Sequence, residues 1–140
     1  VPVAAAIVGA VVAASAALWF TRDDTPATKP TFDLSGTLSL AKASTYGMRD
    51  DGYRKCEGTG GYSDISEGTS VTVYDAAGTV LALGKLEGSK FRNGDCEFTF
   101  TVTAVPAGEQ FYQVEVAHRG KVSFPSDKAR SGVGLTLGSD

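Results

Sequence analysis

"CEFTFTVTAV", Cys96–Val105, decides how this chain folds. Cys96, Phe98, Phe100 and Val102 alternate with Glu97, Thr99, Thr101 and Thr103. A strict period of two, with apolar side chains on one side and polar ones on the other, is the pattern of a half-buried β-strand. The same period extends in both directions along the chain. "TFDLSGTLSL", Thr31–Leu40, puts Phe32, Leu34, Leu38 and Leu40 on one face, with Gly36 in phase and read as a bulge. "SVTVYD", Ser70–Asp75, and "TVLALGKLE", Thr79–Glu87, flank "DAAG", where Asp75 opens the turn and Gly78 supplies a positive φ, so the pair reads as a hairpin. "FYQVEVAH", Phe111–His118, alternates Tyr112, Val114 and Val116 with Gln113 and Glu115. "KVSF" and "VGLTL" complete the set, and no sustained amphipathic helix follows Phe20. Seven or so short strands separated by turns predict an all-β domain over residues 31–140. The expected architecture is an antiparallel β-sandwich, transthyretin-like or immunoglobulin-like, carried on one N-terminal transmembrane helix. The immunoglobulin form is disfavoured because the single tryptophan, Trp19, lies outside the β-region.

Charge narrows the function classes. Thirteen Lys and Arg against 16 Asp and Glu leave a net charge of −3, and no basic stripe is present to neutralise phosphates. Nucleic acid is therefore not an expected partner. The first 20 residues carry no ionisable side chain. "VPVAAAIVGAVVAASAALWF", Val1–Phe20, has the length that about 20 helical residues need to cross a ~30 Å hydrocarbon layer. Trp19 and Phe20 close it at headgroup level. A cleaved signal peptide competes, since "ASA" at Ala14–Ala16 resembles a processing site, but a basic n-region is missing. The segment has eight Ala and only one Leu and one Ile. Ala5, Gly9, Ala13 and Ala17 recur every four residues, as do Ala6, Ala10 and Ala14, so a groove of small residues is expected to pack against other transmembrane subunits. Residues 21–30, polar and with Pro26 and Pro30, read as a spacer.

The two cysteines, Cys56 and Cys96, both lie in the β-domain, and Cys96 faces inward on its strand. A CxxC spacing is absent and His118 is the single histidine, which disfavours a metal or redox pair. One disulfide in an oxidising compartment is expected. That places the domain outside the cytoplasm, with the N-terminus inside, in a single-pass cell-membrane protein. "CEGTGGYSDI", Cys56–Ile65, fits a turn beside the disulfide, with Tyr62 and Ile65 entering the core and Asp64 capping the turn. It lacks the Lys-Ser/Thr of a phosphate loop, and its carboxylates do not have EF-hand spacing.

Taken together, "CEGTGGYSDI", "VTVYDAAGTVLALGKL", "CEFTFTV" and "FYQVEVAHRGKVSF" resemble a group of small extracytoplasmic actinobacterial β-domain proteins over Tyr53–Phe124. The resemblance implies location and fold more than chemistry. The hairpin is also similar to the V-x-V-x-D-x-x-G pattern of transthyretin-like and carboxypeptidase-regulatory-like domains. The layout looks like that of a single-helix accessory subunit of the actinobacterial cytochrome bcc–aa3 respiratory supercomplex.

No nucleophile–base pair, metal set or carboxylate pair is legible, so an enzyme is not expected, and neither is a cofactor or a small-molecule ligand. The expected role is that of a non-catalytic accessory or structural subunit of a membrane complex, with a cell-envelope ligand- or protein-binding module as the alternative. The expected contact surface is a long loop, Ala41–Lys55, whose Tyr46, Met48, Arg49, Tyr53 and Arg54 are residue types that favour interfaces. His118, at a strand end, is expected to hydrogen-bond a nearby carboxylate or carbonyl.

Overall fold

The computed structural model describes residues 29–139. The expected anchor Val1–Phe20 and its groove Ala5, Gly9, Ala13 and Ala17 lie outside the described residues. Among the described residues no helix is long and apolar enough to cross a membrane.

Nine strands are seen among them: β1 (Thr31–Leu40), β2 (Ala43–Met48), β3 (Arg54–Gly58), β4 (Ser70–Tyr74), β5 (Val80–Arg92), β6 (Asp95–Pro106), β7 (Phe111–Val116), β8 (Val122–Pro125) and β9 (Val133–Leu137). A 3-10 turn, Gly60–Tyr62, follows β3, and a one-and-a-half-turn helix, α1 (Ser126–Ser131), links β8 to β9.

The expected sandwich of two antiparallel sheets is not what forms. The strands make one continuous, nearly closed sheet in the order β8-β7-β4-β5-β6-β1-β9, with β3 joined to β5 and β2 to β3. Two features account for the difference. The first is β5, 13 residues long, which belongs to both layers. Its first half pairs with β4 from Val80 to Lys85, and its second half pairs with β6 from Leu86 to Arg92. The bend between them is a bulge across Leu86–Ser89, both of whose end residues are fully buried. A strand that bends at a bulge can carry a sheet round a corner without ending it. Gly84 sits at the same corner, where a Cβ would come within 2.9 Å of Val102. The second feature is that β9 pairs with β1 in parallel, from Gly36↔Val133 to Leu40↔Leu137. That pairing needs a crossover, which β8 and α1 supply.

The inward faces follow the alternation. Cys96, Phe98, Phe100, Val102, Tyr112, Val114, Val116, Leu34, Leu38 and Leu40 are all buried. Burying each large apolar side chain contributes about 1.5–3 kcal/mol, which makes this face the main source of stability. The alternation fails at one place. Ala104 adopts φ 58, and its N–H donates to Asp33 Oδ1 at 3.2 Å. The register slips there, so Val105 is buried and Ala104 exposed, the reverse of strict alternation. The irregularity of the β1–β6 ladder thus lies opposite Asp33, where β6 carries the extra residue, and not at Gly36.

The turns are closed by side chains and positive-φ residues. Asp75 Oδ1 accepts from the N–H groups of Ala77 and Thr79, and Gly78 has φ 85, as the "DAAG" reading expected. The β5–β6 turn is Asn93-Gly94, with φ 55 and 86 between paired Arg92 and Asp95. Two successive positive φ values are the mark of a type I′ hairpin, which follows the twist of the flanking strands.

Candidate functional site

The expected contact loop is not a loop. Ala41–Lys55 forms most of a β-hairpin, in which β2 pairs antiparallel with β3 from Ala43↔Gly58 to Met48↔Arg54. The turn runs through Arg49–Tyr53, closed by the Arg49 N–H donating to the Tyr53 carbonyl at 2.8 Å. The sequence signal was weak because only Ala43 and Thr45 of β2 are even half-buried. An edge strand with little buried surface shows no apolar alternation.

The hairpin gathers four of the expected residues into one exposed tip. Tyr46 and Tyr53 are 40% exposed and Met48 58%, and Arg54 is exposed at the start of β3. Arg49 has a different role. Its Nε and Nη2 bind the Asp51 carboxylate at 3.0–3.1 Å, while Nη1 donates to the Ser89 carbonyl at 2.8 Å. It is a strut between the hairpin and β5. Hydrogen bonding to Arg49 holds the Asp51 carboxyl below the ordinary carboxylate range. Lys90 completes the arrangement, with its ammonium 4.4 Å from the Tyr53 ring centre and 3.9 Å from Asp51.

Beneath the tip lies the disulfide. Cys56 on β3 and Cys96 on β6 are bonded, with Cα atoms 5.8 Å apart and no solvent exposure. Ser89, fully buried, is the polar hub beside it. Its Oγ accepts from the Cys56 N–H at 3.0 Å and donates to Glu67 Oε2 at 2.7 Å, and its N–H donates to the same carboxylate oxygen. Every polar group of the hub is matched, as burial requires. Burial, then the nearby Glu67 and Glu57 carboxylates, push the Tyr46 phenol above its ordinary pKa.

"GGYSDI" and "HRG", far apart in sequence, meet in space. Arg119 binds the Asp64 carboxylate through Nε at 3.2 Å and through Nη2, donates to the Gly61 carbonyl, and stacks over the Tyr62 ring at 4.6 Å. Asp64 therefore does not cap the turn. Thr69 does so, its Oγ1 donating to the Asp64 carbonyl and accepting from the Ser66 N–H. Ile65 is fully buried, but Tyr62 is only half-buried beneath Arg119. His118 is exposed at the β7–β8 turn, and the expected hydrogen bond from it is not formed among the described residues. Arg119 occupies that role instead. Nothing in the spacing of "AHRG" distinguished the two residues.

An open hollow of about 330 Å³ lies at the hairpin tip, lined by Met48, Arg49, Asp50, Asp51 and Lys55. A second cavity opens at the seam between β8 and β9, lined by Leu38, Val114, Val116, Val122, Leu135 and Leu137. At about 40 Å³ it is far smaller than the roughly 300 Å³ a small ligand fills. Among the described residues no group of His, Cys, Asp and Glu side chains has the geometry to hold a metal ion.

No family model, no curated protein and no solved structure matches this chain. The class that the geometry itself defines is a disulfide-bonded β-domain with a nearly closed sheet and one exposed, well-braced hairpin.

Proposed function

We propose that the protein is a non-catalytic accessory or structural subunit that works outside the cytoplasm and docks on a partner protein through the β2–β3 hairpin. The observation that carries this reading is the hairpin tip. Tyr46, Met48 and Tyr53 are exposed together on a surface held from below by a disulfide, an Arg strut and a buried Ser–Glu hub. Large amphipathic side chains on a pre-ordered support lose little entropy on binding and so make efficient anchors. A buried cystine supports an oxidising location. At the tip Arg49 and Lys90 both meet the Asp51 carboxylate, an arrangement that braces the surface. The assembly to test first is a membrane complex of the respiratory type suggested by the layout of the chain.

Site-specific photo-crosslinking tests the reading. A crosslinker placed at Met48 or Tyr53 of the full chain in native membranes is expected to capture the same protein from both positions. One at Thr99, exposed on β6, is expected not to capture it. Capture from all three positions alike, or from Thr99 alone, overturns the proposal.

A further inference from the structure

We infer that the Cys56–Cys96 disulfide is a local latch: it orders the β2–β3 hairpin on a nearly closed sheet that folds without it. The inference deepens the docking reading, since the latched element carries the proposed contact surface.

Sheet connectivity points to this first. β3 joins the rest of the sheet through a single residue pair, Arg54↔Phe91, whereas the β1–β6 and β4–β7 ladders run over nine and four pairs. Burial gives a second, independent reason. From Ala43 to Gly58 the one side chain removed fully from solvent is that of Cys56. The hairpin's apolar attachment is thus its half of the cystine together with the half-buried methyl of Ala43. What remains is polar: the Cys56 N–H to Ser89 Oγ, Arg49 to the Ser89 carbonyl, and Lys90 over Tyr53. Two of these three are partly exposed and the third is a single buried hydrogen bond, so together they contribute little against the entropy of ordering the segment. The other end of the bond is fixed regardless. Cys96 sits within β6 between its ladder partners Leu40 and Phe91. Of the hairpin's apolar side chains, only Cys56 joins the core cluster and only Ala43 packs against it. The covalent bond therefore joins a weakly held element to a self-sufficient one.

Opening the latch is an ordinary exchange. A thiolate of a small dithiol attacks one cystine sulfur, and its second thiolate displaces the mixed disulfide. The dithiol leaves oxidised, while Cys56 and Cys96 each take up one proton and share the two electrons it gave. Because both sulfurs are buried, the exchange follows local opening of the hairpin.

Hydrogen exchange read by mass spectrometry on the full chain separates the outcomes. The oxidised protein is compared with the dithiol-reduced protein and with the double variant Cys56→Ala/Cys96→Ala. Amides of Ala43–Gly58 are expected to exchange faster by roughly a hundredfold in both. Those of Val71–Tyr74 and Phe111–Val116 are expected to keep their protection. Acceleration spread evenly over the chain, including a variant that unfolds throughout, overturns the latch, as does an unchanged hairpin. No partner is needed for this measurement, so its failure leaves the crosslinking result standing, and the reverse also holds.

Discussion

Gly36 lies directly opposite Phe100 across the β1–β6 ladder, and the Phe100 ring fills the space a side chain at 36 would take. A Cβ built on Gly36 would meet Phe100 Cζ at 2.5 Å and Val133 Cγ2 at 2.6 Å. In-phase glycine is here a packing device that lets a large ring cross the core. Gly36→Ala, although alanine suits a strand better, is expected to lower stability by about 1–3 kcal/mol, the usual range for overpacking. Chemical denaturation checks this, and pairing it with Phe100→Leu should recover part of the loss.

Asn93 supplies the first positive φ of the β5–β6 turn. Asn93→Ala is expected to destabilise the protein by about 1–2 kcal/mol, because alanine keeps the Cβ that crowds the carbonyl in the left-handed region but lacks the short polar side chain that offsets it in asparagine. Asn93→Gly should be near neutral. Equal thermal midpoints for the Ala and Gly variants would show that the turn does not hold its conformation.

The Asp64 carboxyl is held below the ordinary carboxylate range, chiefly by its hydrogen bond from Arg119. A carboxyl whose pKa is lower folded than unfolded stabilises the fold above the unfolded value. That contribution is lost as pH falls through the folded one. The stability gap between the parent and Asp64→Asn is therefore expected to be constant near neutral pH. It should narrow below the usual carboxylate range and vanish once Asp64 is protonated. Urea melts across the acid range measure it, and a gap that widens in acid would reverse the assignment.

Tyr46 is expected to ionise later than free tyrosine, because burial and then the Glu67 carboxylate oppose the phenolate. Glu67→Gln removes the charge while keeping a hydrogen-bond acceptor for Ser89. It should bring the Tyr46 titration part of the way back, as followed by carbon NMR of labelled tyrosine rings. No change would assign the effect to burial and the Glu57 carboxylate.

The parts of the fold that were legible are those in which local pattern and core burial agree. "CEFTF" and "YQVEV" point inward as the alternation said, and Cys56 and Cys96 are bonded. The continuous sheet was hidden because β5 changes partner mid-strand, and only the Gly84 and Gly88 pair hinted at the bend. "NG" at Asn93-Gly94 was an available hairpin signal that went unread. The proposed contact residues Tyr46, Met48 and Tyr53 were chosen by residue type, and their support was not legible. Ser89 reaches the hairpin from 33 to 40 residues away and is itself held by Glu67 across 22, and no spacing rule links such partners. The motif pair "GGYSDI" and "HRG" was noticed for its order, whereas its physical basis, Arg119 on Asp64, is a tertiary contact.

The parallel pairing of β1 with β9 has a mechanical consequence. The chain enters β1 at Thr31 and leaves β9 at Leu137, at opposite ends of two adjacent strands that run the same way. A pull applied between Pro30 and Gly138 therefore acts along the strands. It loads the hydrogen bonds between Gly36–Leu40 and Val133–Leu137 together, in shear, instead of peeling them one at a time. A domain wired in this way transmits tension from one end to the other as a stiff link.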